Sequence, residues 1–258
     1  MALLEISHLS KHFGGLMALG DIDLQIEPGE LLSIIGPNGS GKTTLFNMIT
    51  GTYRPSAGRI TFGGKEITGD KPHQIARYGI GRTFQRTTIL EEMTALDNLI
   101  VGQRLHSRIN ICGAIVGTPS TRREDVQTRE KARELLSFVG LAEKESQLAK
   151  YLSQEGKKRL SIAMALATNP QLLLLDEPAG GIYEEDIGGL LEVISKIRLL
   201  GITICLIEHK MKMVMSISDR VFVLSYGRNI AEGTPAEVVK NEAVIKAYLG
   251  ENYAAQVG

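Results

Sequence analysis

The chain has 258 residues, of which 43% are apolar and 22% charged, which is enough for one large α/β domain with a smaller lobe and excludes a disordered chain. Lysine and arginine balance aspartate and glutamate at 29 each, so the net charge gives no reason to expect binding to nucleic acid or to an anionic membrane surface. Without a secretion signal or a run of about 18 apolar residues, the chain is expected to be cytoplasmic or held at a membrane by a partner.

Residues 2–35 alternate apolar and polar side chains in short runs, which are interrupted by Gly14-Gly15 and Pro28-Gly29. This alternation predicts antiparallel strands. The last run, Leu31 to Ile35, is almost entirely apolar, which is typical of a buried strand. A helix is predicted from Thr43 to Thr50.

Between this strand and this helix lies a segment that we call the phosphate loop, Gly36 to Thr44, which reads GPNGSGKTT and matches the pattern G-x-x-x-x-G-K-[ST]. In that pattern, glycines allow backbone N–H groups to surround phosphates, the lysine reaches the β- and γ-phosphate oxygens, and the hydroxyl after it binds Mg²⁺. The sequence therefore predicts a nucleoside triphosphate bound by Gly36, Pro37, Asn38, Gly39, Ser40, Gly41, Lys42, Thr43 and Thr44.

A helical pattern follows at residues 88–165, with a clear stretch from Arg122 to Val139. It predicts a helical subdomain inserted into the nucleotide-binding core, which would comprise residues 1–87 and 166–235, followed by a helical tail at 236–258. The core resumes with predicted parallel strands at 172–175 and 202–207 and a helix at 184–200 between them. Cys112 and Cys205 have no metal-ligand spacing, which predicts that both are packing residues in a reducing compartment.

A second chemical motif closes the strand Leu172 to Leu175, which is followed directly by Asp176, Glu177 and Pro178. Two carboxylates at the end of a buried strand can reach a phosphate site at the same edge of the sheet. We interpret Asp176 as a ligand that supports Mg²⁺ and Glu177 as the general base that polarises the attacking water.

Together with Gln85 in RTFQ (82–85) and His209 in LIEH (206–209), these two motifs make the chain resemble the ATP-binding subunits of ABC transporters over nearly its whole length. The resemblance implies a RecA-like P-loop core with an antiparallel β subdomain and an inserted helical subdomain. It implies ATP hydrolysis in which Gln85 links Mg²⁺ and water to the helical subdomain, His209 contacts the γ-phosphate, and Phe13 stacks on adenine.

In this family a signature, usually LSGGQ, completes the ATP site of the opposite subunit in a head-to-tail dimer. Here the signature segment, Leu152 to Gly156, reads LSQEG, although its distance to Asp176 is the usual one. Ser153 and Gly156 are its candidate nucleotide contacts. Glu155 stands where a glycine should approach the γ-phosphate, so we expect repulsion and steric obstruction. Tyr183 replaces the usual Asp or Asn, and Met164 replaces a common arginine.

These departures affect only residues that act on the other subunit's nucleotide. One hypothesis is that the chain pairs with a different ATPase and that the composite site formed by its altered signature hydrolyses ATP weakly. The alternative is that Ser153 and the nearby backbone suffice and both sites work. A homodimer also remains open.

Stretches such as FGGLMAL (13–19) and VIKAYLG (244–250) resemble the ATPases of branched-chain amino acid importers. That resemblance implies membrane permeases and a periplasmic or extracellular solute-binding protein as partners, at the cytoplasmic face of the inner membrane. Urea importers and lipopolysaccharide exporters share much of the pattern. Two other classes are a soluble ABC protein of translation or DNA repair, which generally has two cassettes or a coiled-coil insertion, and a nucleotide sensor with weak turnover.

Overall fold

The structure is a computed structural model and describes residues 1–83, 89–106 and 119–248; at 104–106 and 119–124 it describes the backbone only. The strands are β1 (Leu4–Phe13), β2 (Leu16–Ile26), β3 (Leu31–Ile35), β4 (Ala57–Phe62), β5 (Lys65–Glu66), β6 (Ile80–Arg82), β7 (Leu172–Asp176), β8 (Thr203–Ile207), β9 (Arg220–Ser225) and β10 (Arg228–Gly233). The helices are α1 (Lys42–Ile49), α2 (Pro72–Arg77), α3 (Ala95–His106), α4 (Pro119–Phe138), α5 (Gln154–Leu166), α6 (Ile187–Leu199), α7 (Met211–Ile217) and α8 (Pro235–Val239). Residues 242–248 are also helical.

The strands form two sheets, one of four strands in the order β2-β1-β4-β5 and one of six in the order β10-β9-β3-β8-β7-β6. The prediction of antiparallel strands for residues 2–35 is right for β1 and β2, which pair from Leu4 with Ile26 to Phe13 with Leu16. It is wrong for β3, which lies parallel to both β8 and β9. All five residues of β3 are buried, as expected for a central parallel strand covered on both faces.

Strand β7 contributes to two of the three hydrophobic cores found among the described residues, because its side chains alternate between the faces of the six-stranded sheet. Leu172 and Leu174 pack into a core shared with the antiparallel sheet and α1. Leu173 and Leu175 pack into a core shared with α3, α4, α5 and α6. Cys205 is buried in the first core, and burial raises the pKa of its thiol, which agrees with a packing role. Cys112 lies outside the described residues.

The parallel strands bring several polar segments to one edge of the sheet. The carboxyl end of β3 leads into the phosphate loop, that of β7 into Glu177, and that of β8 into Glu208 and His209. Because β3, β8 and β7 are neighbours in the sheet, these segments lie side by side. The carboxyl edge of a parallel sheet is the usual position of a ligand site in α/β proteins.

Candidate active site

The phosphate loop passes so close to neighbouring backbone that two of its positions have room only for glycine. Gly36 has a φ of 150° and Gly41 a φ of 107°. A Cβ atom at Gly36 would overlap the carbonyl of Leu224, and one at Gly41 would lie 2.8 Å from the carbonyl oxygen of Ala18. The loop therefore passes between β2 and the end of β9 with its backbone against theirs, a close approach that glycine permits.

Lys42, the first residue of α1, is buried, with 5% of its surface exposed. Its Nζ donates to the carbonyl oxygens of Gly36 at 2.7 Å and Pro37 at 2.8 Å, and lies 3.4 Å from Ser40 Oγ. The ammonium group is thus centred in the loop. On the outer side of the loop, Asn38, Gly39 and Thr43 are exposed, and Thr44 is partly buried.

Asp176, at the end of β7, has two carboxylate oxygens in different situations. Oδ2 accepts a hydrogen bond from Arg82 Nη2 at 2.8 Å, and both side chains are almost fully buried. Oδ1 is also buried but has no hydrogen-bond partner among the described residues. A buried oxygen that carries charge needs a partner. The site therefore fits a hard cation such as Mg²⁺, for which Asp176 Oδ1 and the exposed hydroxyl of Thr43 are suitable oxygen donors.

Glu177 and His209 meet directly. His209 Nε2 lies 3.0 Å from Glu177 Oε1, and both side chains remain partly exposed. Glu177 has a φ of 47°, which is uncommon for a residue with a side chain and is often found at functional sites. The left-handed turn lets Glu177 leave the line of β7 immediately after its N–H has bonded to the carbonyl of Ile207 at 2.9 Å.

Two further charged residues that the sequence motifs did not indicate, Glu208 and Lys158, support this pair. Glu208 is 2% exposed, and its carboxylate accepts hydrogen bonds from the backbone N–H groups of Ala179, His209 and Lys210 at 2.7–3.0 Å. Lys158 on α5 donates from Nζ to the carbonyl oxygen of Glu177 at 3.0 Å. Glu208 could have been found from the sequence, because it lies between β8 and a candidate active-site histidine. No comparable local pattern indicates Lys158.

Burial lowers the pKa of Lys158 below its usual value, while the charges of Glu208, Glu177 and Asp176 act in the opposite direction. The lysine thus lies among three carboxylates, two of which belong to the predicted Mg²⁺ ligand Asp176 and the predicted general base Glu177. It also joins the helix of the signature segment to the predicted general base of the same chain.

The signature segment runs into α5, and Ser153 caps this helix, since Ser153 Oγ accepts a hydrogen bond from Gly156 N at 3.1 Å. Glu155 Oε1 forms an ion pair with Arg159 Nη2, one turn further along. The repulsion predicted from the sequence assumes a free Glu155 carboxylate, whereas in the structure this carboxylate is paired. Tyr183, just before a 3-10 turn at Glu184–Asp186, is 75% exposed. Met164 packs against the core of α3 to α6.

Phe13 lies at the end of β1, where the β1–β2 hairpin leads back toward Ala18 beside the phosphate loop. Its ring is 43% exposed and meets the ring of Tyr53 edge to face, with 5.3 Å between the centroids. Lys11 Nζ lies 4.9 Å from the same ring centroid. Gln85 lies outside the described residues. The structure thus brings Glu177 and His209 into contact and places the phosphate loop and Asp176 at the same edge of the sheet, whereas Ser153 caps α5 and Gly156 lies within it.

Comparisons with known proteins agree with this geometry. A family model for ABC transporters matches residues 19–180, and a model for branched-chain amino acid ATP-binding cassette transporters matches residues 228–254. The chain is similar to the high-affinity branched-chain amino acid transport ATP-binding protein BraF of Pseudomonas aeruginosa, with 44% identity over 96% of this chain and 98% of that protein. It is 41% identical to LivG of Escherichia coli K12, over the same shares of the two chains.

Among solved structures, the chain resembles an ATP-binding cassette of an ABC transporter in its ADP conformation, with a TM-score of 0.85 and 32% identity over 97% of this chain and 99% of that one. A nucleotide-free ATP-binding cassette gives a TM-score of 0.84, also at 32% identity, over 96% of this chain and 99% of that one. The chain therefore belongs to the ABC transporter family, as an ATP-binding cassette that hydrolyses ATP to drive transport. None of the described helices is both long and apolar enough to cross a membrane.

Proposed function

We propose that the chain is the ATPase of an importer of branched-chain amino acids. The observation that carries this proposal is the match of residues 228–254 to the branched-chain amino acid cassette model, together with relatives of that activity over nearly the whole chain. The cassette itself would not touch the amino acid. The cargo is therefore assigned by likeness, and the chemistry of the site supports ATP hydrolysis.

In this proposal the phosphate loop and Lys42 bind the phosphates of ATP, and Phe13 lies against the adenine. Thr43 and Asp176, with Gln85, would hold Mg²⁺, which would neutralise charge on the phosphate oxygens. The buried and unpartnered Asp176 Oδ1 supports this assignment. Arg82 keeps the other oxygen occupied, so the carboxylate has one fixed orientation.

Glu177 would accept a proton from the attacking water, and His209 would hold the γ-phosphate. The 3.0 Å contact between them supports a shared task, because one group must move only a short distance to orient water beside the other. Lys158 fixes the carbonyl of Glu177, and Glu208 fixes the backbone of His209. Both residues therefore act as positioning residues for the two that would meet the nucleotide.

The partners in this proposal are a second ATPase subunit, permease subunits in the membrane and, through them, a solute-binding protein outside. The chain would lie at the cytoplasmic face of the inner membrane, attached through the permeases. Ser153 and Gly156 would complete the nucleotide site of the second ATPase. ATP would close the two cassettes, and hydrolysis would release them.

The test is to purify the transporter from cells that express this chain with its neighbouring transport genes, and to measure ATP hydrolysis stimulated by the solute-binding protein and leucine. Glu177→Gln should lower turnover at least about 100-fold while ATP binding remains, because the base is lost and the phosphate loop is intact. Turnover at the parental rate in that variant would refute the role of Glu177. Stimulation by urea but not by leucine would refute the cargo, and ATP binding without any hydrolysis in the complete transporter would favour a nucleotide sensor.

A further inference from the structure

The start of α5 carries a carboxylate where a phosphate should approach. The N–H groups in the first turn of a helix lack intrahelical acceptors, and they attract anions. Ser153 Oγ takes the N–H of Gly156, which leaves those of Gln154 and Glu155 for a ligand. A free Glu155 carboxylate would be drawn to the same N–H groups and would repel a γ-phosphate from the second subunit.

The Glu155 carboxylate is not free, because Arg159 binds it four residues further along α5. Both side chains are largely enclosed, with 24% of Glu155 and 19% of Arg159 exposed. Arg159 is itself anchored, since its Nη1 donates to the carbonyl oxygen of Val139 at 3.3 Å, at the end of α4. The ion pair therefore directs the Glu155 carboxylate one turn along α5 from the helix start, toward an arginine that is held by the backbone just after α4.

Gly189 on α6 provides the space for this ion pair. A Cβ atom at Gly189 would overlap the guanidinium of Arg159 and would lie 2.5 Å from Glu155 Oε1. Its neighbour Gly188 has open space in the same position. A glycine inside a helix is less favourable than alanine, and the adjacent ion pair gives a physical reason for Gly189 that Gly188 lacks.

We propose that Arg159, with Gly189 opposite, is a positioning residue that holds the Glu155 carboxylate away from the start of α5. The signature segment then keeps an anion-binding helix start, and the γ-phosphate of the nucleotide on the second subunit can approach Ser153 and the adjacent N–H groups. This inference rests on the proposed pairing with a second ATPase subunit. It favours the alternative in which both composite sites work.

A double-mutant cycle in the complete transporter tests this role, with kcat and the KM for ATP measured for the parent, Arg159→Gln, Glu155→Gln and the double variant. We expect Arg159→Gln to raise the KM for ATP roughly fivefold, because the released carboxylate competes with phosphate at a partly exposed site. In the Glu155→Gln background the same change at Arg159 should have no further effect. An unchanged KM in Arg159→Gln, or an equal rise in both backgrounds, would overturn the proposal and leave Arg159 a structural residue.

Gly189→Ala displaces the ion pair without changing any charge, and Gly188→Ala is its matched control. We expect the first to raise the KM for ATP and the second to leave it unchanged, and equal effects of the two would contradict the role of Gly189. Arg133→Gln, which removes an exposed ion pair with Glu145 at 3.0 Å, controls for the loss of an arginine. Binding of MgADP to the chain's own phosphate loop should be the same in every variant. A parent transporter that hydrolyses no ATP would refute the proposed function. An active parent in which Glu155→Gln does not cancel the effect of Arg159→Gln would refute this inference alone.

Discussion

The starts of α1 and α5 are both helix N-termini that face a nucleotide in the proposed dimer, yet they are built in opposite ways. At α1 the N-cap is Gly41, no side chain caps the helix, and Lys42 supplies a positive charge. At α5 the N-cap is Ser153, whose side chain bonds to Gly156, and Glu155 supplies a negative charge in the first turn. The first arrangement leaves its N–H groups and a cation for the chain's own nucleotide. In our proposal, the second needs Arg159 to hold the Glu155 carboxylate away from its N–H groups.

Removal of Lys42 should produce the largest effect in this comparison. Lys42→Met should weaken ATP binding to the isolated chain roughly 100-fold, because charge-assisted bonds to phosphate are lost. Isothermal titration calorimetry with MgATP measures this affinity directly. Unfolding with urea serves as the control, since Lys42 also bonds to the carbonyls of Gly36 and Pro37. Affinity within a few-fold of the parent would mean that the loop backbone alone binds the phosphates.

Lys158 links α5 to the predicted general base Glu177, so its removal tests whether this contact matters for catalysis. Lys158→Met should lower kcat about tenfold with little change in KM, because Glu177 loses the contact that fixes its carbonyl at 3.0 Å. Lys158→Arg should restore part of the loss. Lys157→Gln is the matched control, since Lys157 pairs on the surface with Glu91 at 2.9 Å. If the Lys157 and Lys158 variants lose the same amount, the link to Glu177 has no catalytic importance.

Ser153→Ala distinguishes capping from nucleotide binding at α5. The loss of the cap should lower the free energy of unfolding by about 1 kcal/mol. In the complete transporter, turnover should also fall several-fold if the Ser153 hydroxyl contacts the second subunit's nucleotide, as we propose. Ser153→Asp would restore the cap but add a negative charge. We expect it to recover stability without recovering turnover, and recovery of both would show that Ser153 acts only as a cap.

The smallest effect is expected at α8, whose start is a structural reference without a nucleotide. Thr234 and Glu237 form a reciprocal capping box there, with Thr234 N donating to Glu237 Oε2 at 2.8 Å. Thr234→Ala should destabilise the chain by at most about 1 kcal/mol and leave ATP hydrolysis unchanged. Calorimetry and the ATPase assay check the two halves of this prediction. A fall in turnover would mean that α8 takes part in coupling.

The same capping box has a pH dependence of known sign. The hydrogen bond from the backbone of Thr234 lowers the pKa of Glu237. A carboxylate with a lowered pKa stabilises the fold above its ordinary pKa, and the contribution disappears as the pH falls through the folded value. Because Glu237 is exposed, the effect should be small. Urea unfolding of the parent and Glu237→Gln should therefore converge as the pH is lowered into the acidic range.

Local patterns were enough to predict one part of the site. The phosphate loop and the pair Asp176 and Glu177 each lie within a few consecutive residues that follow a buried strand, so their positions at the sheet edge follow from the strand pattern. The resemblance to ABC transporter ATPases added His209, which the structure brings to Glu177. Its proposed contact with a phosphate stays a prediction, as do the roles of Phe13 and Gln85.

Other contacts could not be predicted, because they join distant parts of the chain. Arg82 reaches Asp176 across 94 positions, and Lys158 on α5 reaches Glu177 just after β7. Glu155 is an instructive exception. Its spacing of four residues from Arg159 is the standard spacing of an ion pair on one helix, and that signal was present in the sequence. What the sequence could not reveal is that α6 places a glycine opposite the pair.

Glu208 joins two loops that the sequence keeps 29 positions apart, since one carboxylate oxygen binds Ala179 N and the other binds the backbone of His209 and Lys210. The buried carboxylate of Glu208 thereby connects the segment after β7 to the turn after β8. In the proposed dimer, a displacement of Ala179 by the second subunit would therefore also displace the backbone of His209, which would couple the two sites mechanically.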